Sequence, residues 1–277
     1  MKNKLISAAL LTSVILAGCQ ANNQEEAPEE ENDTVEEVAD NSTEEEEEIV
    51  EEVVEEEEEV EYLYEIHPEL FSVQQLEGAD TDEEELVLLT FDDAPYGNSL
   101  EIADALDAQG VSAIFFINGM YMEDDEGFEV VRELHERGFE IGNHSHTHLN
   151  LSEHSEEVQK DEIVKTNEII EEATGESPRF FRAPFGVMTD YSKELLEELG
   201  MTWMNWSFGY DWESEYQDAA ALTEITLNTP YLSDGANILM HDRTWTAAAT
   251  ADIAEGLTDL GYTIVDPKLI LNHNALD

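Results

Sequence analysis

Short β-like runs alternate with amphipathic helical stretches from residue 86 onward, and this alternation constrains the fold most. Seven runs stand out: Leu86–Thr90, Ser112–Ile117, Phe139–Gly142, Arg179–Arg182, Met201–Asn205, Asn237–Met240 and Tyr262–Val265. The helical stretches between them are Leu100–Gln109, Glu129–Arg137, Ser155–Ala173, Tyr191–Leu199, Ala219–Asn228 and Ala247–Leu260. Several are followed by a glycine, which commonly ends a helix. Regular alternation predicts a parallel sheet with crossover helices.

Seven units of this kind predict an α/β fold, specifically an irregular (β/α)7 barrel. An open, doubly wound sheet is the alternative. No glycine-rich phosphate loop follows the first run, so the usual sequence argument for nucleotide binding is missing.

The N-terminus has the pattern of an export signal. Lys2 and Lys4 precede an apolar stretch of 13 residues, Leu5–Ala17, whereas a bilayer span needs about 20. Leu16–Cys19 resembles the lipobox of bacterial lipoproteins, which implies cleavage before Cys19 and lipid attachment to its thiol. An ordinary secretory signal is the other interpretation. We therefore expect residues 1–18 to be a signal peptide and the protein to be anchored at the extracellular face of the cell membrane.

A strongly acidic segment follows the signal. Residues 20–61 contain 20 Glu and 2 Asp in 42 residues, with no Lys or Arg. Such a segment repels itself and cannot bury a core, so residues 19–61 are predicted to form a disordered tether. The folded domain is expected to span residues 62–277.

The charge balance limits the partners of the chain. It has 68 acidic and 11 basic side chains, a net charge of −57, so no basic surface is available for binding nucleic acid. Residues 62–277 keep 46 acidic and nine basic side chains, which predicts a halophilic domain that salt stabilises. Cys19 is the only cysteine, which excludes an intramolecular disulfide and a cysteine-based metal site. We expect a monomer.

Chemically capable side chains fall near the carboxyl ends of the predicted strands. They are Asp92 and Asp93 after the first, His144 and His148 after the third, Arg182 in the fourth, Asp211 after the fifth and His241 after the sixth. In a parallel α/β barrel these strand ends open onto one rim, where active sites lie. The side chains are therefore expected to converge on one pocket.

The run His144–His148 has three histidines in five residues and predicts a metal site. If the loop turns helical, His144 and His148 lie on one face and can bind one ion, while His146 points elsewhere. A carboxylate from Asp92 or Asp93 completes the ligand set typical of catalytic zinc. The same ligands suit non-haem iron oxygenases, whose usual all-β fold does not match this alternation. A solvated histidine-rich loop is the remaining alternative.

Asp92 and Asp93 are expected to have separate functions. Adjacent residues that leave a strand point to opposite sides, so one can bind the metal while the other faces the substrate. The second carboxylate can then accept a proton from an activated water molecule.

Five ordered segments resemble the motifs of a known family. They are Thr90–Pro95, His144–His148, Arg182–Gly186, Asp211–Trp212 and Leu239–His241. They are similar to the motifs of the polysaccharide deacetylases, the NodB-homology domains of carbohydrate esterase family 4, over about residues 84–266. The resemblance implies a barrel of the NodB-homology type. It also implies metal-dependent hydrolysis of N-acetyl groups on an extracellular glycan, which for a wall lipoprotein is expected to be peptidoglycan.

The resemblance also implies the acid–base groups. Asp92 would be the general base, and Arg182 would pair with it and orient it. His241 would protonate the leaving amine, and Asp211 would tune His241.

The remaining motif positions imply ligands and pocket walls. Asp93, His144 and His148 would hold a divalent metal, usually zinc. The backbone N–H of Phe185 would help to hold the oxyanion, and Trp212 and Leu239 would line the pocket for the acetyl methyl group.

Three positions depart from the family pattern. Ala94 replaces the usual glycine, Phe185 replaces a frequent tyrosine, and Phe208 stands where an acidic residue is usual. The departures at Ala94 and Phe208 support one alternative function, a catalytically weak surface lipoprotein that binds glycan or metal. A same-fold amidase acting on a small cyclic amide is a second, separate alternative.

Overall fold

In a computed structural model of the protein, the structure describes residues 61–81, 83 and 85–272. The predicted signal peptide, the predicted lipidation site Cys19 and the predicted tether up to residue 60 lie outside the described residues. Among the helices of the described ranges, none combines the length and apolar character needed to cross a membrane.

A parallel sheet curled into a half-barrel forms the centre of the domain. Its strands are β3 (Leu86–Ala94), β4 (Ile114–Ile117), β5 (Glu140–Asn143), β6 (Phe180–Phe181), β7 (Thr202–Trp203), β8 (Phe208–Gly209), β9 (Ala236–His241) and β10 (Thr263–Ile264), after a separate hairpin of β1 (Tyr64–Ile66) and β2 (Val73–Gln75). Their spatial order is β7-β6-β5-β4-β3-β9-β8, and β10 pairs with the start of β3. The architecture confirms the predicted (β/α)7 class, and each of the seven predicted runs overlaps one strand of this sheet.

Six helices connect the strands, close to where they were predicted. They are α1 (Ser99–Gln109), α2 (Asp125–Glu136), α3 (Glu156–Thr174), α4 (Asp190–Glu198), α5 (Ala219–Asn228) and α6 (Thr244–Asp259). The largest shift is at α2, which begins four residues before the predicted start. Its first turn is set by Asp124, whose side chain accepts a hydrogen bond from the Gly127 N–H and satisfies a free helix donor.

The longest strand, β3, separates the core from the site. Val87, Leu89 and Phe91 belong to the core cluster that packs beneath the helices. Residues 86, 88, 90 and 92 alternate with them and therefore face the inside of the half-barrel. Along this inner face the side chains change from Leu86 and Leu88 to Thr90 and Asp92, so the strand is apolar at its start and polar where it reaches the rim.

The β1–β2 hairpin fills the inner side of the half-barrel at the amino ends of the strands. Tyr64, Ile66 and Val73 are buried in one cluster with Leu86 and Leu88. Both strands have only three residues, which is too short for a two-residue period to be visible in the sequence. The hairpin was therefore not predicted.

One predicted strand was wrong in extent. The run Met201–Asn205 forms only the two-residue β7, and Phe208–Gly209 forms a separate strand, β8, at the opposite end of the sheet order. The carbonyl oxygen of Asn205 accepts a hydrogen bond from Arg182 Nη2 at 3.0 Å. The segment between the two end strands therefore spans the gap in the half-barrel and contributes to the site.

Candidate active site

One cavity of about 580 Å³ opens at the carboxyl ends of the strands. Nine of the ten predicted catalytic, ligand and pocket residues line it, and the tenth, Arg182, lies behind Asp92. The complete lining is Asp92, Asp93, His144, His148, Phe185, Trp206, Asp211, Trp212, Gln217, Leu239, His241, Arg243 and Trp245. The fold thus brings together residues separated by about 150 positions in the sequence.

Asp92 and Arg182 form a buried ion pair at the base of this cavity. Arg182 Nη1 donates to Asp92 Oδ1 at 2.8 Å and to Thr90 Oγ1 at 2.7 Å, while Nη2 donates to Asn237 Oδ1 at 3.2 Å. The guanidinium carbon lies 4.4 Å from the Phe116 ring centroid. Burial lowers the pKa of Arg182, and the Asp92 carboxylate opposes that shift. These contacts hold one carboxylate oxygen of Asp92 and leave Oδ2 directed at the cavity, 3.5 Å from His144 Nε2.

Asp93, His144 and His148 form a compact group of ligand atoms. Asp93 Oδ1 lies 3.5 Å from His148 Nε2 and 3.8 Å from His144 Nε2, and the three ligand atoms lie within 4.8 Å of one another. His144 Nδ1 donates a hydrogen bond to the carbonyl oxygen of Arg182 at 2.7 Å, so Nε2 is the ring nitrogen that faces Asp93. Two imidazole nitrogens and one carboxylate oxygen fit a divalent ion such as zinc.

The charge states of these side chains suit a cation. Burial would raise the pKa of Asp93, but the nearby histidines and Arg243 outweigh it and lower the pKa below its usual range. Burial, with a smaller contribution from His144, lowers the pKa of His148. An ionised carboxylate and a neutral imidazole are the forms that bind metal.

The backbone brings the ligands together differently from the prediction. Residues 144–150 contain no helix, and Ser145 and His148 instead have left-handed φ values of 67° and 58°. The rings of His144 and His148 meet edge to face with centroids 5.1 Å apart. The expected helical turn was therefore wrong, although the convergence of the two rings was expected.

The two aspartates also differ from the expectation that they point to opposite sides. Asp93 has φ 60°, and the register of β3 against β4 shifts between Phe91 and Ala94. Such an irregularity turns the chain and redirects a side chain. As a result, both Asp92 and Asp93 reach His144.

His146 points away from this group, as predicted. Its buried ring has Nε2 3.1 Å from Glu123 Oε1 and 2.6 Å from Lys165 Nζ. It lies outside the Asp93–His144–His148 group.

His241 and Asp211 form a second polar pair. His241 Nδ1 lies 2.7 Å from Asp211 Oδ1, and Asp211 Oδ2 accepts from the His241 N–H at 2.6 Å and Thr246 Oγ1 at 2.8 Å. Burial would lower the pKa of His241, but the hydrogen bond and charge of Asp211 outweigh it and raise the pKa. The ring is therefore held in one orientation with Nε2 as its remaining nitrogen, and the cationic form is favoured.

Aromatic and aliphatic side chains form the walls of the cavity. Phe185 is 63% exposed with its ring edge-on to His148, and Trp212 is 46% exposed with its ring edge-on to His241. Leu239 is buried and also lines the cavity. Ala94 and Phe208, the other departures from the family pattern, belong to the core cluster beneath the helices and do not line this cavity.

Four lining residues were not predicted as site residues: Trp206, Gln217, Arg243 and Trp245. For Arg243 a signal exists in the sequence, because it is a rare cation that follows His241 by two positions. Trp206 lies in the segment between β7 and β8, and its place at the cavity depends on the gap in the half-barrel. For Gln217 the sequence gives no signal.

Comparison with known protein sequences finds a matching family and several relatives. The sequence model of the polysaccharide deacetylase family matches residues 79–204. The peptidoglycan-N-acetylglucosamine deacetylase PgdA of Listeria monocytogenes is 34% identical over 182 residues, which is 65% of this chain and 37% of that protein. A chitooligosaccharide deacetylase of a Bradyrhizobium strain is 30% identical over 176 residues, covering 62% of this chain and 77% of that protein.

A solved structure of a carbohydrate esterase is also similar to this chain. The family 4 carbohydrate esterase from Streptomyces lividans, in complex with acetate, aligns with a TM-score of 0.59 and 29% identity, covering 65% of this chain and 91% of that one. Fold and site together define a (β/α)-barrel protein in which one potential metal site shares a cavity with the Asp92–Arg182 and His241–Asp211 pairs. The chain belongs to the polysaccharide deacetylase family, carbohydrate esterase family 4. It spans about a third of the length of the first curated relatives it matches.

Proposed function

We propose that this protein hydrolyses N-acetyl groups of an extracellular glycan, peptidoglycan in particular, and releases acetate. The observation that carries the proposal is that Asp92 and His241 line one cavity together with the Asp93–His144–His148 group. Amide hydrolysis needs a base for the attacking water and an acid for the leaving nitrogen. In this cavity Asp92 is the base and is held by Arg182, whereas His241 is the acid and is held by Asp211.

The chemistry assigns a proton transfer to each pair. Asp92 accepts a proton from water as the water oxygen adds to the acetyl carbonyl carbon. His241 Nε2 then donates a proton to the amide nitrogen, the C–N bond breaks, and acetate and a free amine are formed. Arg182 orients Asp92 through its hydrogen bond to Oδ1, and Asp211 orients His241 and favours its cationic form.

Asp93, His144 and His148 would hold the metal, which we propose to be zinc on the basis of the two-imidazole, one-carboxylate donor set. A bound zinc ion would polarise the acetyl carbonyl and acidify a water molecule. Phe185 lines the cavity, and its backbone N–H would help to stabilise the developing oxyanion. Trp212 and Leu239 provide apolar surface for the acetyl methyl group.

The names of the relatives support the proposed substrate, and the N-terminal sequence motif supports the proposed location. The Listeria relative is named for peptidoglycan N-acetylglucosamine and the Bradyrhizobium relative for chitooligosaccharides, and both are N-acetylated glycans. We propose that the diacylated Cys19 anchors this protein outside the cell membrane. The acidic tether would then allow the domain to reach the wall.

Acetate release from purified peptidoglycan and from chitin oligosaccharides tests the proposal. The zinc-loaded protein should release acetate from an N-acetylated glycan, and Asp92→Asn should not. Zinc and glycan binding without acetate would instead support a non-catalytic surface lipoprotein. Turnover of a small cyclic amide such as hydantoin, with none on glycan, would support the amidase alternative.

A further inference from the structure

Arg243 has no role in the chemistry described so far, yet it touches the candidate metal site directly. It lies just beyond β9, two residues after His241, and lines the cavity. Its Nη2 donates to Asp93 Oδ2 at 2.6 Å, and its side chain is 28% exposed. In a domain with so few basic residues, a cation at this position needs an explanation.

The two oxygens of Asp93 have different neighbours. Oδ1 is the oxygen that faces His148 Nε2 and His144 Nε2, at 3.5 Å and 3.8 Å. Oδ2 faces Arg243 instead. A carboxylate oxygen already bound by a guanidinium is poorly available as a second ligand to the same ion.

We propose that Arg243 is a positioning residue that holds Asp93 as a single-oxygen ligand. By occupying Oδ2 it keeps Oδ1 facing His144 Nε2 and His148 Nε2, the atoms that would hold the ion with it. This inference deepens the proposed function and rests on the metal site that function requires.

Arg243 is itself held in place. Nη1 donates to the Asp242 carbonyl oxygen at 2.8 Å, and the guanidinium carbon lies 4.6 Å from the Tyr96 ring centroid. Tyr96 is fixed in turn, because its backbone N–H donates to Asp242 Oδ2 at 2.7 Å and its ring packs edge-on against Tyr121. A planar guanidinium can stack and donate in two directions at once, which a lysine ammonium cannot.

Asp93 needs such a partner because its backbone does not fix it in an ordinary strand geometry. It has a left-handed φ of 60° at the irregularity of β3, and Asp92 stands immediately before it. A hydrogen-bonded cation opposes rotation of the Asp93 carboxylate out of the site. Outer partners of metal ligands commonly change metal affinity by about 10–100-fold.

Arg243 affects zinc affinity through its charge as well as through its hydrogen bond to Asp93, and the two effects have opposite signs. A cation close to a divalent ion repels it, so removing the charge alone would strengthen metal binding. If Arg243 acts by orienting Asp93, its removal weakens binding. The sign of the change therefore distinguishes the two roles.

The test compares Arg243→Met, Arg243→Lys and Arg132→Met in the full chain. Arg132 is a matched control, because it is an exposed arginine of α2 that pairs with Glu129 and Glu136 and is not among the residues that line the cavity. Zinc affinity is measured by competition with a chromophoric chelator, and thermal unfolding of the metal-free proteins checks folding. We expect zinc binding about 10–100-fold weaker in Arg243→Met, a smaller loss in Arg243→Lys and no change in Arg132→Met.

A structure of the zinc-loaded proteins supplies a second readout. Wild type should bind through one Asp93 oxygen, and Arg243→Met should show both oxygens on zinc or a rotated carboxylate. Unchanged or tighter zinc binding in Arg243→Met, with one Asp93 oxygen still bound, would overturn the inference. If Arg243→Met does not fold, Arg243→Lys decides through the same two measurements.

The failure of this inference is distinguishable from failure of the proposed function. Weaker zinc binding in Arg243→Met, in a protein whose wild type releases no acetate, refutes the function and supports the positioning role. Acetate release by wild type with unaltered zinc binding in Arg243→Met refutes the positioning role alone.

Discussion

Asp92 and His241 are direct register partners in the parallel ladder between β3 and β9. Neighbouring strands are about 4.8 Å apart, and side chains at partnered positions of parallel strands point to the same face. The Asp242 N–H also donates to the Asp92 carbonyl oxygen at 2.9 Å, which continues the ladder past the two residues. The sheet itself therefore fixes the spacing between the proposed base and the proposed acid.

Replacing Asp92 or His241 should abolish acetate release but leave zinc bound. Asp92→Asn and His241→Ala should each lower the rate of acetate release by about 10²–10⁴-fold, because each removes one proton transfer. Both should bind zinc in the wild-type amount, since the ligand group consists of Asp93, His144 and His148. Asp252→Asn, an exposed position on α6, is the control and should be fully active. Near-wild-type activity of Asp92→Asn would rule out the assigned base.

The pH dependence should report the His241–Asp211 pair. Because Asp211 raises the pKa of His241 in the folded protein, the acid stays protonated to a higher pH than a free imidazole. The basic limb of kcat/KM against pH should therefore lie above the ordinary histidine value and move to lower pH in Asp211→Asn. Rates of acetate release on one oligosaccharide across pH measure it. A basic limb that does not move would assign that limb to a different group.

The three histidines of the 144–148 run should differ in their effect on zinc. His144→Ala and His148→Ala each remove one ligand atom and should lose bound zinc. His146→Ala should keep it, because that ring contacts Glu123 and Lys165 instead. Metal content after dialysis of the three purified variants is the measurement. Equal loss in all three would indicate an unspecific histidine-rich loop.

Asn237 should be important for stability. This fully buried side chain accepts from Arg182 and donates to the carbonyl oxygens of Asn205, at 3.0 Å, and Phe71, at 3.2 Å. Asn237→Leu removes these three hydrogen bonds from a buried position, at a cost of about 3 kcal/mol. The melting temperature should fall by roughly 6–12 °C. Asn228→Leu, an exposed position at the end of α5, should change it little, and an equal fall in both variants would contradict the assignment.

Salt should stabilise the folded domain. The excess of acidic over basic side chains in residues 62–277 produces repulsion that salt screens, so the melting temperature should rise between about 0.05 M and 1 M sodium chloride. Chloride is preferred to sulfate, because sulfate stabilises proteins by a different mechanism. A flat or falling melting temperature would remove the argument for a halophilic protein.

The sequence alone determined the order of strands and helices and the identity of the chemical groups. Alternating apolar runs and amphipathic stretches are local patterns, so β3, β9 and the six helices could be placed from neighbouring residues. Side chains such as Asp92, His144 and His241 could be assigned to one rim, because parallel strands carry their carboxyl ends to the same edge.

Only the tertiary structure decided how these groups meet. The left-handed backbone of Asp93 and His148, the gap between β7 and β8, and the β1–β2 hairpin depend on contacts between distant segments. The contact of Arg243 with Asp93 joins residues 150 positions apart. A single sequence shows which side chains follow each strand, but long-range packing sets the distances and orientations that turn those side chains into a site.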